Sequence, residues 1–507
     1  MKHMIQKTLA ALALGFTGMT WAQGDATQQF EWSTPYPDSV VTPNTVNTSI
    51  GDLEFFDGVP MKSTVDTVYD YVDRARGVDV YIKMLRAVAL DAQMKAEADG
   101  GAVESHQVLF HEELADAKAR FLTTNNTTLY LWAHIDLEKN GPTVLEAPQG
   151  VLGVLDDMNF RYLTDIGVAG PDKGQGGKYL LLPPAYEGEV PEGYFVVRSP
   201  TYMVWNFMRG YLDNGIEWSK NNIKNNLKVY PLSQKDNPPK MQFINASGMA
   251  LDAVPPRDFS FYESLNAIIQ KEPMDFLETE TRGQLAAIGI VKGQPFKPDA
   301  RMKKILTDAV AIGEAYARAN THYPRDPEQS IYKDTDSEWV MGYAGKNTAF
   351  LKDGARKLDA RLWFHYNAIV VTPAMALTTP GKGSDYGIAN LDENKQPMDG
   401  SKTYRLHLPP NPPAKDFWAV TLYDTMTRTL LQTDQRFTTV DSYREGLKKN
   451  ADGSIDIYFA PEAPKGMENN WLQTVPGKSW FIILRMYGPL QPWIDQTWRP
   501  SEILVVK

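Results

Sequence analysis

Alternation of apolar and polar residues at every second position is the feature that most limits what this chain can fold into. It is clear in LYLWAHID, which begins at Leu129, and it returns in TYRLHL, FWAVTLYD, SIDIYF and WFIILRMY beyond residue 396. Successive side chains of a β-strand point to opposite faces of a sheet, so a period of two predicts strands. Strand-rich regions at about 121–200 and from about 396 onward therefore predict two β-sandwiches.

Apolar residues at helical spacing occupy other parts of the chain. Ser63-Thr64-Val65-Asp66 resembles a helix capping box and precedes such a stripe. We also predict a helix over Glu104–Lys118, a long helical stretch from near Tyr202, and a helix containing Met302 and Ile305. The predicted fold class is α+β and β-rich, with two antiparallel, jelly-roll-like sandwiches joined by a mainly helical segment.

The N-terminus carries the features of a secretory signal. Lys2 and Lys7 precede an apolar run, Thr8 to Met19, which is too short to span a bilayer. A small-x-small step ends at Ala22, so residues 1–22 are predicted to be a cleavable signal peptide. The chain has no cysteine, so packing alone must hold it together after export. We expect a periplasmic or secreted protein.

Composition and motifs exclude several classes of function. The formal net charge is -10 and no basic run occurs, which argues against nucleic-acid binding. The seven histidines are dispersed without HExxH spacing, so no metal site is predicted. A glycine-rich stretch is followed at Gly177 by a strand rather than a helix, unlike a dinucleotide-binding loop. No later segment is apolar enough for a membrane span, and the cofactor is left unknown.

Longer motifs point to a family. The segments NNTTLYLWAHIDL, DDMNFRYLTDIG, GPDKGQGGKYLLLPP and GYFVVRSPTY resemble domain-of-unknown-function family 1254. The segments DGSKTYRLHLP, FWAVTLYD, NADGSIDIYF, NWLQTVPG and LRMYGP resemble family 1214. The resemblance implies an exported bacterial protein of two β-sandwich domains, without a settled activity. One departure is that Thr127 stands where the family often has Asp, for which an Asx-turn role is the simplest explanation.

The resemblance and the patterns together give a domain scheme. After the signal peptide, an extended polar arm is predicted for residues 23–60. Helices and the family 1254 sandwich follow at 61–200, a helical linker region at 201–340, and the family 1214 sandwich at 341–507.

Asp156 and Asp157 are the candidate catalytic residues, with Arg161 close by. A carboxylate pair can share a proton or hold a cation, and an arginine can neutralise one carboxylate or bind an anion. Neighbouring strand residues face opposite sides of a sheet, so both reach one site only if the strand bends. A structural Asp–Arg pair is the alternative.

The candidate ligand-binding residues are mainly aromatic or amide side chains, with two arginines: Tyr130, Trp132, Arg161, Asn470, Trp471 and Arg485. Trp471 can stack on a sugar or another ring while Asn470 hydrogen bonds to it. Equally, Trp471 can close the end of a sandwich while Asn470 bonds loop backbone.

The sequence leaves three functions open. The first is binding of a small organic molecule or glycan in an aromatic-lined cleft of the sandwich domains. The second is a hydrolase or lyase that uses Asp156 and Asp157. The third is a self-assembling structural protein, because sandwich edges favour homo-oligomers.

Overall fold

The computed structural model describes residues 31–506, so the predicted signal peptide and the first residues of the arm lie outside it. The chain divides into two compact units, one ending at Asp73 and the other starting at Arg74. Within the described residues, no helix combines the length and the apolar character needed to cross a bilayer. Short 3-10 turns occur at Asp38–Val40, Leu232–Gln234, Met274–Phe276, Pro327–Gln329 and Glu468–Asn470.

The first unit is a small three-stranded antiparallel sheet followed by the start of a helix. Its elements are β1 (Thr45–Thr48), β2 (Gly51–Phe56), β3 (Val59–Pro60) and the first part of α1 (Lys62–Asp99). Thr64, predicted to lie in a capping box, exchanges two hydrogen bonds with the backbone of Glu54, at 2.7 and 3.0 Å. The Thr64 hydroxyl therefore ties the first turn of α1 to the sheet before it.

The first sandwich of the second unit is made of two facing sheets. Its strands are β4 (Gln107–Phe110), β5 (Leu129–Asp136), β6 (Thr143–Ala147), β7 (Val151–Asp157), β8 (Tyr162–Gly167), β9 (Gly177–Leu182), β10 (Phe195–Arg198), β11 (Met203–Gly210), β12 (Lys228–Pro231) and β13 (Gln242–Asn245), with helices α2 (Leu137–Asn140) and α3 (Ile216–Asn226). One sheet has the order β13-β4-β5-β11-β7-β8 and the other the order β10-β9-β6-β12.

The predicted alternation in β5 separates two cores. Leu129, Leu131 and Ala133 pack with Leu145 and Leu181 of the facing sheet. Tyr130 and Trp132 lie on the opposite face and belong to the larger core that reaches the rest of the unit. Both faces of this strand are buried, as its pattern predicts.

Two helix predictions in this region are wrong. The segment predicted as a helix over Glu104–Lys118 contains β4, and the stretch from Tyr202 forms β11, which pairs with both β5 and β7. A central strand covered on both faces is apolar at successive positions, so period alone does not distinguish it from a buried helix. The predicted helical linker therefore begins with a strand of the first sandwich.

Helices follow the first sandwich and include the predicted helix around Ile305. They are α4 (Ser260–Lys271), α5 (Thr279–Ala287), α6 (Ala300–His322), α7 (Leu358–Asn367) and α8 (Pro373–Ala376). Asp299 caps α6 by accepting the N–H of Met302 at 2.7 Å. Helix α7 is buried from Ala360 to Asn367.

The second sandwich also has two sheets. Its elements are β14 (Trp339–Val340), β15 (Leu351–Lys352), β16 (Ala355–Arg356), β17 (Ser384–Ala389), β18 (Met398–Asp399), β19 (Tyr404–Leu408), β20 (Ala414–Asp424), β21 (Thr439–Asp441), β22 (Ile455–Ala460), β23 (Trp471–Gln473), β24 (Ser479–Pro489), α9 (Gln491–Ile494) and β25 (Leu504–Val505). The larger sheet has the order β14-β17-β24-β20-β21, the smaller has β23-β22-β19-β25, and β15 pairs only with β16.

Alternation places the core of the second sandwich as the sequence indicates. Tyr404, Leu406 and Leu408 are buried, while Arg405 and His407 between them are partly exposed. Most strand pairs are antiparallel, and the mixed helix and strand content confirms the predicted α+β class. The domain boundaries given above remain predictions.

Candidate functional site

A cavity of about 60 Å³ lies where the two sandwiches of the second unit meet. Its volume is well above the roughly 10–15 Å³ that a single water requires, so it has room for a small organic molecule. Its walls come from the segment before β5, from β11, α7, β17 and β24. The lining residues are Leu122, Thr123, Thr124, Tyr130, Phe207, Arg209, Gly342, Tyr343, Trp363, Phe364, Asn367, Ala368, Ile369, Val370, Met375, Tyr386, Ile388, Asn390, Phe481, Ile483 and Arg485.

The first sandwich contributes one arginine and its aromatic neighbours. Antiparallel pairing sets Arg209 of β11 directly opposite Tyr130 of β5, so both side chains share one face of the sheet. The Arg209 guanidinium lies 5.5 Å from the centre of the Tyr130 ring and 5.3 Å from that of Phe207. These distances are typical of cation–π contacts.

The second sandwich contributes a similar pair. In its larger sheet, Arg485 of β24 is opposite Tyr386 of β17, and Ile483 is opposite Ile388. The Arg485 guanidinium lies 5.9 Å from the centre of the Tyr386 ring. Each sandwich therefore supplies one cross-strand arginine–tyrosine pair to the same cavity.

Arg485 is the more tightly held of the two arginines. It is 4% exposed, and its Nη2 donates to the carbonyl oxygen of Thr123 at 2.7 Å. Nη1 of Arg485, Nε of Arg209 and the hydroxyl of Tyr386 are buried and make no hydrogen bond. Among residues 31–506, neither guanidinium has a carboxylate oxygen within the 4.0 Å of an ion pair.

The cavity wall next to α8 is held in an unusual backbone conformation. Val370 has a φ of 76°, which is unfavourable for a β-branched residue. The hydroxyl of Tyr343 donates to its carbonyl oxygen at 2.8 Å, and the N–H of Val371 donates to Oδ2 of Asp156 at 3.0 Å. Thr372 donates to Oδ1 of Asp165 at 2.6 Å. These three hydrogen bonds hold Val370, Val371 and Thr372 in place.

The two candidate catalytic carboxylates do not line the cavity. Asp156 lies behind the wall and holds Val371. Asp157 accepts from Nε of Arg161 at 2.6 Å and from the N–H groups of Asn159 and Arg161 at 2.8 and 3.0 Å. The β7–β8 register shifts after Leu155, but the two carboxylates contact different groups and do not form one site. These contacts correspond to the structural alternative, an Asp–Arg pair that closes a turn.

Burial gives Asp156 an unusual protonation behaviour. Burial raises the pKa of the Asp156 carboxyl well above its usual range, and the neighbouring carboxylates of Asp157 and Asp165 raise it further, against the N–H of Val371. Burial also raises the pKa of Asp165, although Thr372 and Tyr162 donate hydrogen bonds to it. Asp156 is therefore suited to accept a hydrogen bond as a neutral acid.

The remaining predicted residues separate into two places. Tyr130 and Arg485 line the cavity, whereas Trp132 lies beneath it in the core, 4.8 Å from the ring of His111. Asn470 ends the 3-10 turn Glu468–Asn470 and Trp471 begins β23, and neither residue lines the cavity. Asn470 bonds the backbone of Lys448 and Asp456, and Trp471 donates to the carbonyl oxygen of Ala460 at 2.8 Å.

Arg209 is the residue that the sequence reasoning missed. Its signal was available, because Arg209 directly follows the mostly apolar stretch MVWNFM. That stretch was interpreted as helical, which hid its pairing with Tyr130. No group of three metal-ligating side chains occurs within the part of the chain that the structure describes.

Comparison with known proteins agrees with the sequence motifs. Residues 106–231 match the model of "Protein of unknown function (DUF1254)", and residues 383–491 match that of "Protein of unknown function (DUF1214)". The two families predicted from the sequence, in that order, are confirmed. No curated protein matches the chain.

Two solved structures are similar to the chain, and the first of them shares its fold. The crystal structure of the VPA0106 protein from Vibrio parahaemolyticus is 18% identical, with a TM-score of 0.52 over 86% of this chain and 100% of that chain. A crystal structure of an uncharacterized protein from Burkholderia cenocepacia is 14% identical, with a TM-score of 0.38 over 88% of this chain and 97% of that chain. The first likeness extends the fold over most of the chain.

Proposed function

We propose that this chain, in which a DUF1254 region is joined to a DUF1214 region, binds a small organic molecule in the cavity between its two sandwiches. The observation that carries the proposal is the composition of the cavity walls. Aromatic rings from both sandwiches and α7 surround a few polar groups, which is the usual composition of a small-molecule site. Backbone strain at Val370, in the same wall, is also typical of ligand sites.

The contacts of the predicted catalytic residues favour binding over hydrolysis. Asp157 is fully buried and paired with Arg161, and Asp156 is engaged with the wall behind the cavity. Neither of them lines the cavity between the two sandwiches. An enzyme of this design would need its chemistry from residues of the cavity itself.

The proposed location is the periplasm or the exterior of the cell. The support is the basic and apolar N-terminal sequence around Lys2 and Lys7, together with the absence of cysteine. A soluble binding protein with a small-molecule cavity is consistent with that location. Determination of the N-terminus of the mature chain, expected to be Gln23, tests it.

Two measurements test the binding proposal. Mass spectrometry of the denatured, freshly purified chain should reveal a co-purifying small molecule, and Trp363 in the cavity wall should report on added compounds by fluorescence. A variant that fills the cavity gives the specific check. A Cβ at Gly342 would lie 3.7 Å from the ring of Trp363 and 3.9 Å from that of Phe364, so Gly342→Leu should fold and lose binding.

The matched control is Gly283→Leu. Gly283 is exposed on α5, and a Cβ there would meet nothing within 4 Å. The Gly283→Leu variant should bind the small molecule with the same affinity as the parent protein. Equal binding by Gly342→Leu and the parent would contradict the proposed site.

A further inference from the structure

The two arginines of the cavity indicate which class of ligand it can bind. Arg209 and Arg485 come from different sandwiches, and both guanidinium groups line the same small space. Arg361 and Arg428, which are as deeply buried as Arg485, also have no carboxylate oxygen within 4.0 Å among residues 31–506, whereas less buried arginines of this unit do. Arg318 and Arg257, for example, lie 3.0 and 3.2 Å from Oε1 of Glu314.

Arg209 and Arg485 therefore concentrate positive charge that the surrounding residues do not neutralise. A buried charge is unfavourable unless it is paired, and the attraction between opposite charges increases where water is excluded. The neighbouring rings of Tyr130, Phe207 and Tyr386 offer only cation–π contacts, which compensate a buried cation in part. Unbonded N–H groups on both arginines and the unbonded hydroxyl of Tyr386 remain available as donors.

We propose that the cavity binds a small organic carboxylate, whose two oxygens accept hydrogen bonds from Arg209 and Arg485. The inference rests on the proposed function and specifies its ligand class. The planar guanidinium matches a carboxylate in geometry and charge. The apolar body of the ligand faces Trp363, Phe364 and Met375, on the wall formed by α7 and α8.

The same geometry excludes a neutral analogue. A guanidinium has five N–H donors and no acceptor, so the NH₂ group of an amide would oppose donors. An amide would also leave both charges without a counter-ion. The discrimination between a carboxylate and its amide is therefore the property that separates this inference from non-specific filling of an apolar cavity.

The test uses matched probes on the full mature chain. Benzoate is compared with benzamide, and butyrate with butyramide, by isothermal titration and by tryptophan fluorescence. At least one of the carboxylates should bind about tenfold or more tightly than its amide. Arg209→Met and Arg485→Met should each weaken that binding by about tenfold or more, and the two lysine variants should lose less because they keep the charge.

Arg325→Met is the matched control. The Arg325 guanidinium also lies 5.5 Å from the centre of a tyrosine ring, that of Tyr316, but it is exposed and paired with Asp359. Its loss should leave carboxylate binding unchanged. Thermal unfolding of each variant shows whether it is folded, and the lysine variants serve where a methionine variant does not fold.

The outcomes separate the two claims. Equal affinity for carboxylate and amide, both blocked by Gly342→Leu, would overturn the anion inference and keep the proposed function. Tighter binding of phenyl phosphate than of benzoate would overturn the carboxylate assignment. Absence of binding for every probe, with no co-purifying molecule, would contradict both.

Discussion

Each sandwich of this protein holds a loop of the other, but the two use opposite chemistry. The first sandwich presents carboxyl groups: Asp156 and Asp165 accept from Val371 and Thr372. The second presents donors to residues 123–127: Arg485 and Tyr423 donate to the carbonyl oxygens of Thr123 and Thr124, and the hydroxyl of Tyr487 meets that of Thr127 at 3.1 Å.

This difference predicts how the contacts between the two sandwiches should depend on pH. Burial raises the pKa of Asp156 and of Asp165, so the contacts of the first sandwich involve groups that titrate above the range usual for aspartate. Burial raises the pKa of Tyr423 to about 12 and that of Tyr487 further, so the donors of the second sandwich keep their protons at neutral pH. Only the first set of contacts is therefore expected to depend on pH above the usual aspartate range and below that of tyrosine.

The largest effect is expected for Asp157→Ala, in the first sandwich. The substitution removes one acceptor from three donors, including Nε of Arg161 at 2.6 Å. Asp157 is fully buried but Arg161 is 39% exposed, so the loss comes mainly from the backbone N–H groups left unbonded and should lower the free energy of unfolding by about 2–4 kcal/mol. Urea denaturation measures the change, and a loss below about 1 kcal/mol would contradict the structural role given to Asp157.

The second prediction concerns Asp156→Asn, which mimics the neutral acid. In the parent protein the raised pKa means that the folded state keeps its proton where the unfolded state, with a pKa of about 3.9, has lost it. The contribution of the Asp156 carboxyl to the stability of the parent protein is therefore fully present below a pH of about 4 and is lost as the pH rises through the folded pKa. The free energy of unfolding falls over that interval by up to about 1.4 kcal/mol per pH unit.

Asp156→Asn should lack that decline and become the more stable of the two proteins as pH increases. Urea denaturation across the acidic and neutral range compares them. Parallel pH profiles for parent and variant would show that Asp156 does not carry the proton in the folded state.

Tyr423→Phe tests the second sandwich and is expected to have a smaller effect. It removes the donor to the carbonyl oxygen of Thr124, 2.6 Å away, and leaves that oxygen unbonded in the junction. The free energy of unfolding should fall by about 1–2 kcal/mol, by the same amount from pH 5 to pH 8. A loss that changes with pH would remove the contrast between the two sandwiches.

The smallest effect is expected for Trp471→Phe. Trp471 is half-buried and loses only its bond to Ala460, so the free energy of unfolding should fall by about 1 kcal/mol. Affinity for benzoate should not change, because Trp471 does not line the cavity. Weaker binding by this variant would return Trp471 to the ligand site.

The alternation of side chains along the sequence predicted several individual strands correctly. Alternation located β5, β19 and β22 because one or both faces of these strands have a consistent partner. It failed at β11, where Val204, Trp205 and Phe207 stand close together in sequence and strict alternation is lost. A buried run of that kind fits a strand and a helix equally well.

The site could be predicted only in part, for a related reason. Arg485 and Tyr130 were recognisable as polar or aromatic positions within apolar strands, and Asn470 as a residue that bonds loop backbone. What the sequence does not contain is the pairing that brings Arg209 and Arg485, which lie far apart along the chain, to one cavity. Such pairing depends on how the two sheets pack, which local periodicity does not specify.

Because one arginine stands in the DUF1254 match and the other in the DUF1214 match, neither region expressed alone would possess a complete recognition surface. A ligand that binds only when the two regions are packed together would stabilise that packed form by mass action. The stabilisation is about 2.7 kcal/mol at a ligand concentration a hundredfold above Kd. Ligand binding and the packing of the two regions against each other would thus be linked equilibria, each favouring the other.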